Sequence, residues 1–214
     1  MFVPKLDWYR EYRKLVPDEH ICIFADPAEG NDYCAAAGFS KKHQDIPFVF
    51  NAKMESSQFG YELHRIAKRA ESVTHIWPTI GVERNTGQAT IYVLTQLNYP
   101  ELFRMRIFDA AGFRESDKIG WLMTEATRRK MLDDFALALR QKVITLYDKE
   151  MYDQMRAFIV NKKGKPQAES NKNDDLVIAG AGSYQLNLLV PTRENEEVDE
   201  TEFKKEQEKW QHLT

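Results

Sequence analysis

The sequence predicts an α/β fold in which a mixed central sheet is flanked by helices on both faces. Short apolar runs of strand length alternate with longer segments whose apolar residues recur at helical spacing. The chain has 214 residues, 43% of them hydrophobic, which is enough to bury a complete core. We therefore expect one folded domain over residues 21–190, with a leader or linker segment at 1–20 and an acidic tail at 191–214.

Charge and composition argue against several classes of protein. The net charge is −3, and the tail holds eight acidic and four basic residues, so the rest of the chain is close to neutral. No apolar stretch reaches the length of a membrane span, and we expect an intracellular protein without a membrane partner. Cys22 and Cys34 lie in apolar runs as expected for reduced core thiols, and no Cys/His spacing indicates a zinc site.

The first apolar run, residues 21–26, ends on the carboxylate of Asp26. Residues 27–31 contain Pro, Gly and Asn, which break regular structure, and residues 33–40 predict a return strand. A buried strand would thus deliver Asp26 to its exposed end. Because a lone buried carboxylate is costly, this position favours a bound cation. The alternative is that Asp26 only caps the turn at the end of its own strand.

The remaining N-terminal elements follow from the same patterns. Residues 1–19 predict a short helix, or a leader that packs on the domain. After a turn at 41–45, residues 46–52 predict a third strand, and Pro47 indicates an edge strand or a strand start. The further elements are a helix at 56–72, a strand at 75–82 that ends on Glu83, a helix from about 86 to 97, and a strand at 102–108.

The C-terminal half predicts three helices and one hairpin. Thr124 is a good N-cap for a helix through Leu139. Residues 158–169 predict a β-hairpin with a basic tip at 162–165. The other elements are an extended segment at 143–146, a helix at 148–158, and a helix at 174–189 that Asn173 can cap.

Acidic residues occur where ligands collect in such a fold. Asp26 and Glu83 end buried strands, and Asp174 and Asp175 begin a buried helix. If the carboxyl ends of parallel strands meet at one edge, these carboxylates converge and repel each other unless a cation neutralises them. Oxygen ligands without Cys or His favour Mg²⁺ or Mn²⁺, and two such ions form the usual clamp for displacement at phosphorus. Each acid alone also fits a structural role, such as helix capping at Asp174 and Asp175.

The order strand-Asp, strand-Glu, helix-Asp is the layout of ribonuclease H-like enzymes, and four segments carry a closer resemblance. They are residues 26–33 (DPAEGNDY), 81–85 (GVERN, with Gly87 after it), 118–121 (KIGW, with Thr124 and Lys130 downstream) and 164–177 (Gly164-Lys165, Ala168 and NDDLV). In this order and spacing they resemble the C-terminal nuclease domain of tailed-phage large terminase subunits, over residues 21–190. The resemblance implies a metal-dependent endonuclease that cuts concatemeric viral double-stranded DNA during genome packaging, in the host cell cytoplasm.

The resemblance also implies roles for individual residues. Asp26, Glu83 and Asp175 correspond to the catalytic, metal-binding acids, and Asp174 and Asp32 to further metal ligands of two Mg²⁺ or Mn²⁺ ions. The family commonly has His where this chain has Asn173, so that imidazole is lost. The family's ATPase motif is absent from the sequence, so either the chain is an excised domain, as we expect, or the motor is a separate polypeptide. The implied partners are the terminase ATPase domain, the small terminase subunit and the portal protein.

Lysines at two turns are candidate contacts to DNA phosphates. They are Lys162, Lys163 and Lys165 at the hairpin tip, and Lys41 and Lys42 in the first turn. Two basic helical stretches, at residues 65–69 and 128–130, are instead expected to be solvated helix faces.

Two other functions remain open from the sequence. One is a different ribonuclease H-like phosphoryl-transfer enzyme, such as a resolvase or transposase. The other is a non-catalytic module that docks on DNA or the portal and whose acidic pocket is incidental.

Overall fold

The computed structural model describes residues 8–28, 33–108, 115–156, 158–160, 166–168 and 174–193. Five strands form the main sheet, namely β1 (Tyr9–Glu11), β2 (Ile21–Asp26), β3 (Tyr33–Ser40), β4 (Asp45–Lys53) and β5 (Thr79–Val82). Their order across the sheet is β1–β4–β3–β2–β5. The strands β2, β3 and β4 form an antiparallel meander, and β5 is parallel to β2. The predicted mixed sheet is confirmed.

Helices cover both faces of this sheet, as predicted. They are α1 (Ser56–Thr74), α2 (Gln88–Gln96), α3 (Glu125–Arg140), α4 (Lys149–Arg156) and α5 (Asp175–Leu189). Because side chains alternate along a strand, β2 contributes to two cores. Cys22 and Phe24 pack with residues of α3, α4 and α5, whereas Ile21, Ile23 and Ala25 pack with residues of α1 and α2.

The N-terminal segment differs from the prediction of a short helix. Residues 9–11 form strand β1 and pair with β4, so the sheet extends to the N-terminal side of residue 21. Arg13 then bonds the carboxylates of Glu19 and Asp45, which are almost completely buried. Buried carboxylates need such a partner, and this ion pair holds the segment against the sheet. Asp45 lies 32 residues from Arg13 at the start of β4, so the local sequence pattern does not link these two side chains.

Two smaller hairpins complete the description. The strands β6 (Arg104–Phe108) and β7 (Glu115–Ile119) are antiparallel, and β7 was missed because its residues are mostly polar. The predicted hairpin near residue 160 is confirmed as β8 (Phe158–Val160) and β9 (Pro166–Ala168). Its basic tip, with Lys162, Lys163 and Lys165, lies outside the described residues.

Three sequence expectations need adjustment. Strand β4 is not an edge strand, because β1 covers it, and Pro47 instead lies where the β3–β4 register shifts. The N-cap of α5 is Asp174, whereas Asn173 lies outside the described residues. Of the expected acidic tail, only residues 191–193 are described. Across the described residues, none of the helices combines the length and apolar character that a membrane span requires.

Candidate metal centre

Asp26 and Glu83 lie at the same end of their strands and on the same face of the sheet. The parallel register pairs Ala25 with Val82, which makes the two acids next neighbours, and the Glu83 N–H donates to the Ala25 carbonyl at 2.9 Å. Adjacent strands lie about 4.8 Å apart. The alternation that turns Phe24 toward α5 also turns Asp26 toward α5, and the same holds for Gly81 and Glu83. The sheet thus places the two acids side by side.

The loops after the two strands are joined close to these acids. The Thr86 hydroxyl donates to the Pro27 carbonyl at 2.7 Å, which links the loop after β5 to the loop after β2. A Cβ atom on Gly87 would meet the Glu83 carbonyl oxygen at 2.1 Å, so a larger residue would push α2 away from the strand end. Gly87, which follows the GVERN segment, therefore has a local steric role.

The two carboxyl groups interact directly. The Asp26 and Glu83 side chains lie within hydrogen-bonding reach of each other, and both residues are half-buried. Burial raises the pKa of Asp26 well above its ordinary value, and the hydrogen bond to Glu83 and the charges of Glu83, Asp175 and Asp174 raise it further. The cause is an excess of negative charge in a place with limited access to water. A bound cation would relieve this excess.

Helix α5 brings the other two acids to this edge. It packs on β2 at Gly182, where a Cβ atom would approach the Phe24 ring to 2.2 Å. Its first turn is fixed by α4, because the buried Gln154 side chain accepts a hydrogen bond from the Leu176 N–H at 3.0 Å. Asp174 is the N-cap and Asp175 the first helical residue. Carboxylates are favoured at this end of a helix because its free N–H groups carry partial positive charge.

Arg128 is the cation that sequence reasoning missed at this site. Its guanidinium Nη2 lies 2.6 Å from Asp174 Oδ2, so the first turn of α3 is tied to the start of α5. The expectation of a solvated helix face is therefore wrong for Arg128. It holds for Arg129 and Lys130, which are exposed and form pairs one helical turn along α3. Only the capped start at Thr124, which orients α3, was available as a signal.

Lys41 and Lys42 lie at the opposite end of the sheet from the acids. The register pairs Ile21 with Ser40 and Asp26 with Ala35, so the turn after β3 is about 17 Å from the acidic edge. Lys41 Nζ donates to the carbonyls of Asn187 and Val190, the latter at 2.8 Å, and so caps the C-terminus of α5. Lys42 Nζ donates to the Pro17 carbonyl at 3.2 Å on the surface. These contacts give Lys41 an intramolecular role.

The donor chemistry of the site fits a hard divalent ion. All four acids supply oxygen ligands, and the raised pKa of Asp26 reports a surplus of negative charge there. Among the described residues, no group of three or more His, Cys, Asp or Glu side chains is already arranged to hold a metal ion. Asp174 is instead paired with Arg128. Asp32 lies outside the described residues.

Comparison with known proteins finds matches among solved structures. No protein-family model matches the chain, and no curated protein sequence matches it significantly. The large terminase nuclease of thermophilic phage G20c aligns with a TM-score of 0.62 and 16% identity, covering 85% of this chain and 89% of that chain. The same nuclease with bound magnesium gives 0.62 and 17%, covering 85% and 88%. The large terminase nuclease domain of Thermus phage P74-26 gives 0.58 and 17%, covering 83% of each chain.

These matches agree with the topology described above, in which a meander of three strands is extended by a parallel strand next to β2. The chain therefore has the ribonuclease H-like α/β fold of the large terminase nuclease domains.

Proposed function

We propose that this chain is a metal-dependent endonuclease that cleaves concatemeric viral double-stranded DNA during genome packaging, in the host cell cytoplasm. One observation carries the proposal. The carboxyl groups of Asp26 and Glu83 meet at the end of two parallel strands, and the acid pair at the start of α5 is close enough to raise the pKa of Asp26. The fold of the terminase nuclease domains supports it.

The proposed cofactor is a pair of Mg²⁺ or Mn²⁺ ions held by the carboxylates of Asp26, Glu83, Asp174 and Asp175. The G20c terminase nuclease has been solved with bound magnesium, which supports a divalent ion. Bound here, such ions would activate water and stabilise the leaving 3′ oxygen. Asp32 is retained as a further candidate ligand from the sequence.

The chain's own residues would hold the ions in position and balance the negative charge of the acids. Asp26 and Glu83 are placed by the sheet, so their separation does not depend on a mobile loop. Asp175 is placed by α5, and Arg128 offsets the charge of Asp174. We assign catalysis to Asp26, Glu83 and Asp175, and a supporting role to Asp174.

The first test is digestion of plasmid DNA with and without Mn²⁺. We expect the wild type to nick or linearise the plasmid only with the ion, and Asp175→Ala to lose at least about 100-fold in rate, as expected on removing a metal ligand. The control is Asp133→Ala, because Asp133 is exposed on α3. Equal digestion by wild type and Asp175→Ala would refute the catalytic role of Asp175, and no digestion by the wild type with Mn²⁺ would refute the proposal and favour a non-catalytic docking module.

Substrate choice separates the proposal from its closest alternative. A terminase-type nuclease should cut linear duplex DNA at least as well as branched DNA or an RNA–DNA hybrid. A strong preference for branched junctions would instead indicate a resolvase. We further propose that the ATPase domain, the small terminase subunit and the portal protein are its partners in packaging.

The lysines of the hairpin tip are proposed DNA contacts. Replacing Lys162, Lys163 and Lys165 together by Gln should weaken DNA binding and reduce the salt dependence of the affinity by about three counterions. An unchanged salt slope would rule the contact out.

A further inference from the structure

We propose that Lys53, which is positioned on the ring of Tyr33, binds a phosphate of the DNA backbone beside the acidic centre. This inference rests on the proposed nuclease function and adds a binding residue to it.

The strand register determines where Lys53 lies. Asp26 pairs with Ala35, Ala35 pairs with Asn51, and Tyr33 pairs with Lys53. Lys53 therefore lies two strands away from Asp26 across the sheet. Along the strands it lies two residues further in the direction in which β2 ends. With standard strand geometry its Cα lies about 12 Å from that of Asp26. Measured along the DNA axis, this distance corresponds to about three to four base-pair steps.

The direction of the Lys53 side chain follows from the strand pairing. Residues directly opposite each other in an antiparallel pair turn to the same face. Ala35, Ala37 and Val49 face the core that contains α5, and the alternation carries on to Tyr33 and Lys53. Lys53 thus lies at the same end of the sheet and on the same face as the acids. The end of the sheet that carries Lys41 and Lys42 does not meet these conditions.

The ammonium group of Lys53 is available to bind a ligand. Lys53 is exposed, and its Nζ lies 5.0 Å from the centroid of the half-buried Tyr33 ring. No carboxylate in the described part of the chain forms an ion pair with Lys53. The ring attracts the cation through its face and takes up none of its three N–H donors. The side chain is thus held in place while its donors can still reach phosphate oxygens.

A DNA chain that approaches the acids also needs a positive charge nearby. Four carboxylates at this edge repel a phosphodiester chain that must come close to them. A cation at the margin of such a site lowers the potential along the path of the DNA without occupying the position between the acids. Lys53 provides this charge on the β4 side, whereas Arg128 is already engaged with Asp174.

The test measures DNA binding and not cleavage. A short fluorescently labelled duplex is titrated with protein in EDTA, in the Asp175→Ala background, which removes one charge from the site. Affinity is measured between about 50 and 200 mM salt. We expect Lys53→Gln to weaken binding by about threefold to tenfold and to lower the salt slope by about one. Lys53→Arg should restore both, because it keeps the charge.

The matched control is Lys68→Gln. Lys68 is exposed on α1, which covers the opposite face of the sheet, and its removal should change neither quantity. Thermal unfolding of each variant shows that the fold is retained. The inference is overturned if Lys53→Gln binds like the parent, if Lys68→Gln weakens binding equally, or if the parent binds no duplex at low salt. The nuclease proposal is judged separately, by plasmid digestion, and survives the first two results.

Discussion

The carboxyl groups of Asp26 and Glu83 lie within hydrogen-bonding reach of each other at the ends of two neighbouring parallel strands. A hydrogen bond between two carboxyl groups requires a proton on one of them. Because the pKa of Asp26 is raised, Asp26 keeps its proton in the absence of a cation to a higher pH than an isolated aspartate would. We therefore expect the stability of the site to respond to both pH and divalent ions.

Asp26→Asn should stabilise the metal-free protein and abolish its stabilisation by Mn²⁺. The pKa of Asp26 is raised in the folded state, so its favourable contribution to stability is present at low pH and is lost as the pH rises through the raised pKa. An amide at this position removes that loss. We expect a gain of about 1 kcal/mol at pH 7, or about 2–4 °C in Tm, measured by thermal unfolding in EDTA. Wild type should gain stability with Mn²⁺, and the variant should not. A lower Tm for the variant in EDTA would contradict this account.

Arg128→Ala should destabilise the protein more in EDTA than in Mn²⁺. The guanidinium and a divalent ion offset the same group of carboxylates, so the ion should compensate for part of the loss. For a partly exposed pair we expect about 1 kcal/mol in EDTA, measured by urea unfolding. Arg129→Ala is the control, because the pair with Asp133 is exposed and 3.7 Å long. An equal deficit with and without Mn²⁺ would show that Arg128 does not act on the proposed metal-binding acids.

Protonation of His20 should weaken the fold below neutral pH. This residue is buried, its Nε2 lies 3.0 Å from the Thr79 hydroxyl, and its Nδ1 accepts from the Arg193 N–H at 3.1 Å. Burial, and then the charges of Lys41 and Arg193, lower its pKa from 6.5 to about 4. The unfolded state therefore binds a proton first as the pH falls, and stability is lost between these two values. The expected loss is about 2 kcal/mol at pH 5 relative to pH 7.

The variant His20→Gln isolates this contribution, because Gln does not titrate. Its unfolding free energy, measured with urea at both pH values, should fall by about 2 kcal/mol less than that of the wild type. Parallel pH profiles for the two proteins would assign the acid sensitivity to other groups.

Lys41→Met should destabilise the fold by about 1–2 kcal/mol, because the carbonyls at the end of α5 lose their donor. Lys42→Gln is the neighbouring control and should leave Tm unchanged. Urea unfolding distinguishes the two variants. A silent Lys41→Met would mean that water replaces the ammonium group without cost.

Much of the candidate site was accessible from the sequence. The strand that ends on Asp26 and the helix that begins at the acid pair are confirmed, because apolar periodicity and the residues that break it are local signals. The order of the acids along the chain also predicted which fold would bring them together, and the matched structures confirm that fold.

Other features depended on the tertiary structure. The polar segment 9–11 is a strand because β4 offers it a partner, and its own residues do not predict one. Arg128 looked like any surface arginine until α5 placed Asp174 beside it, and Lys53 gained its position from the register of three strands.

By itself, the sequence determined the presence of most of the main elements and the positions of the candidate acids along them, since these follow from short-range patterns of polarity. Only the tertiary structure decided which cations accompany those acids. A charged side chain on a surface carries no local sign of its partner, and the partner is set by packing between elements that are distant in the chain.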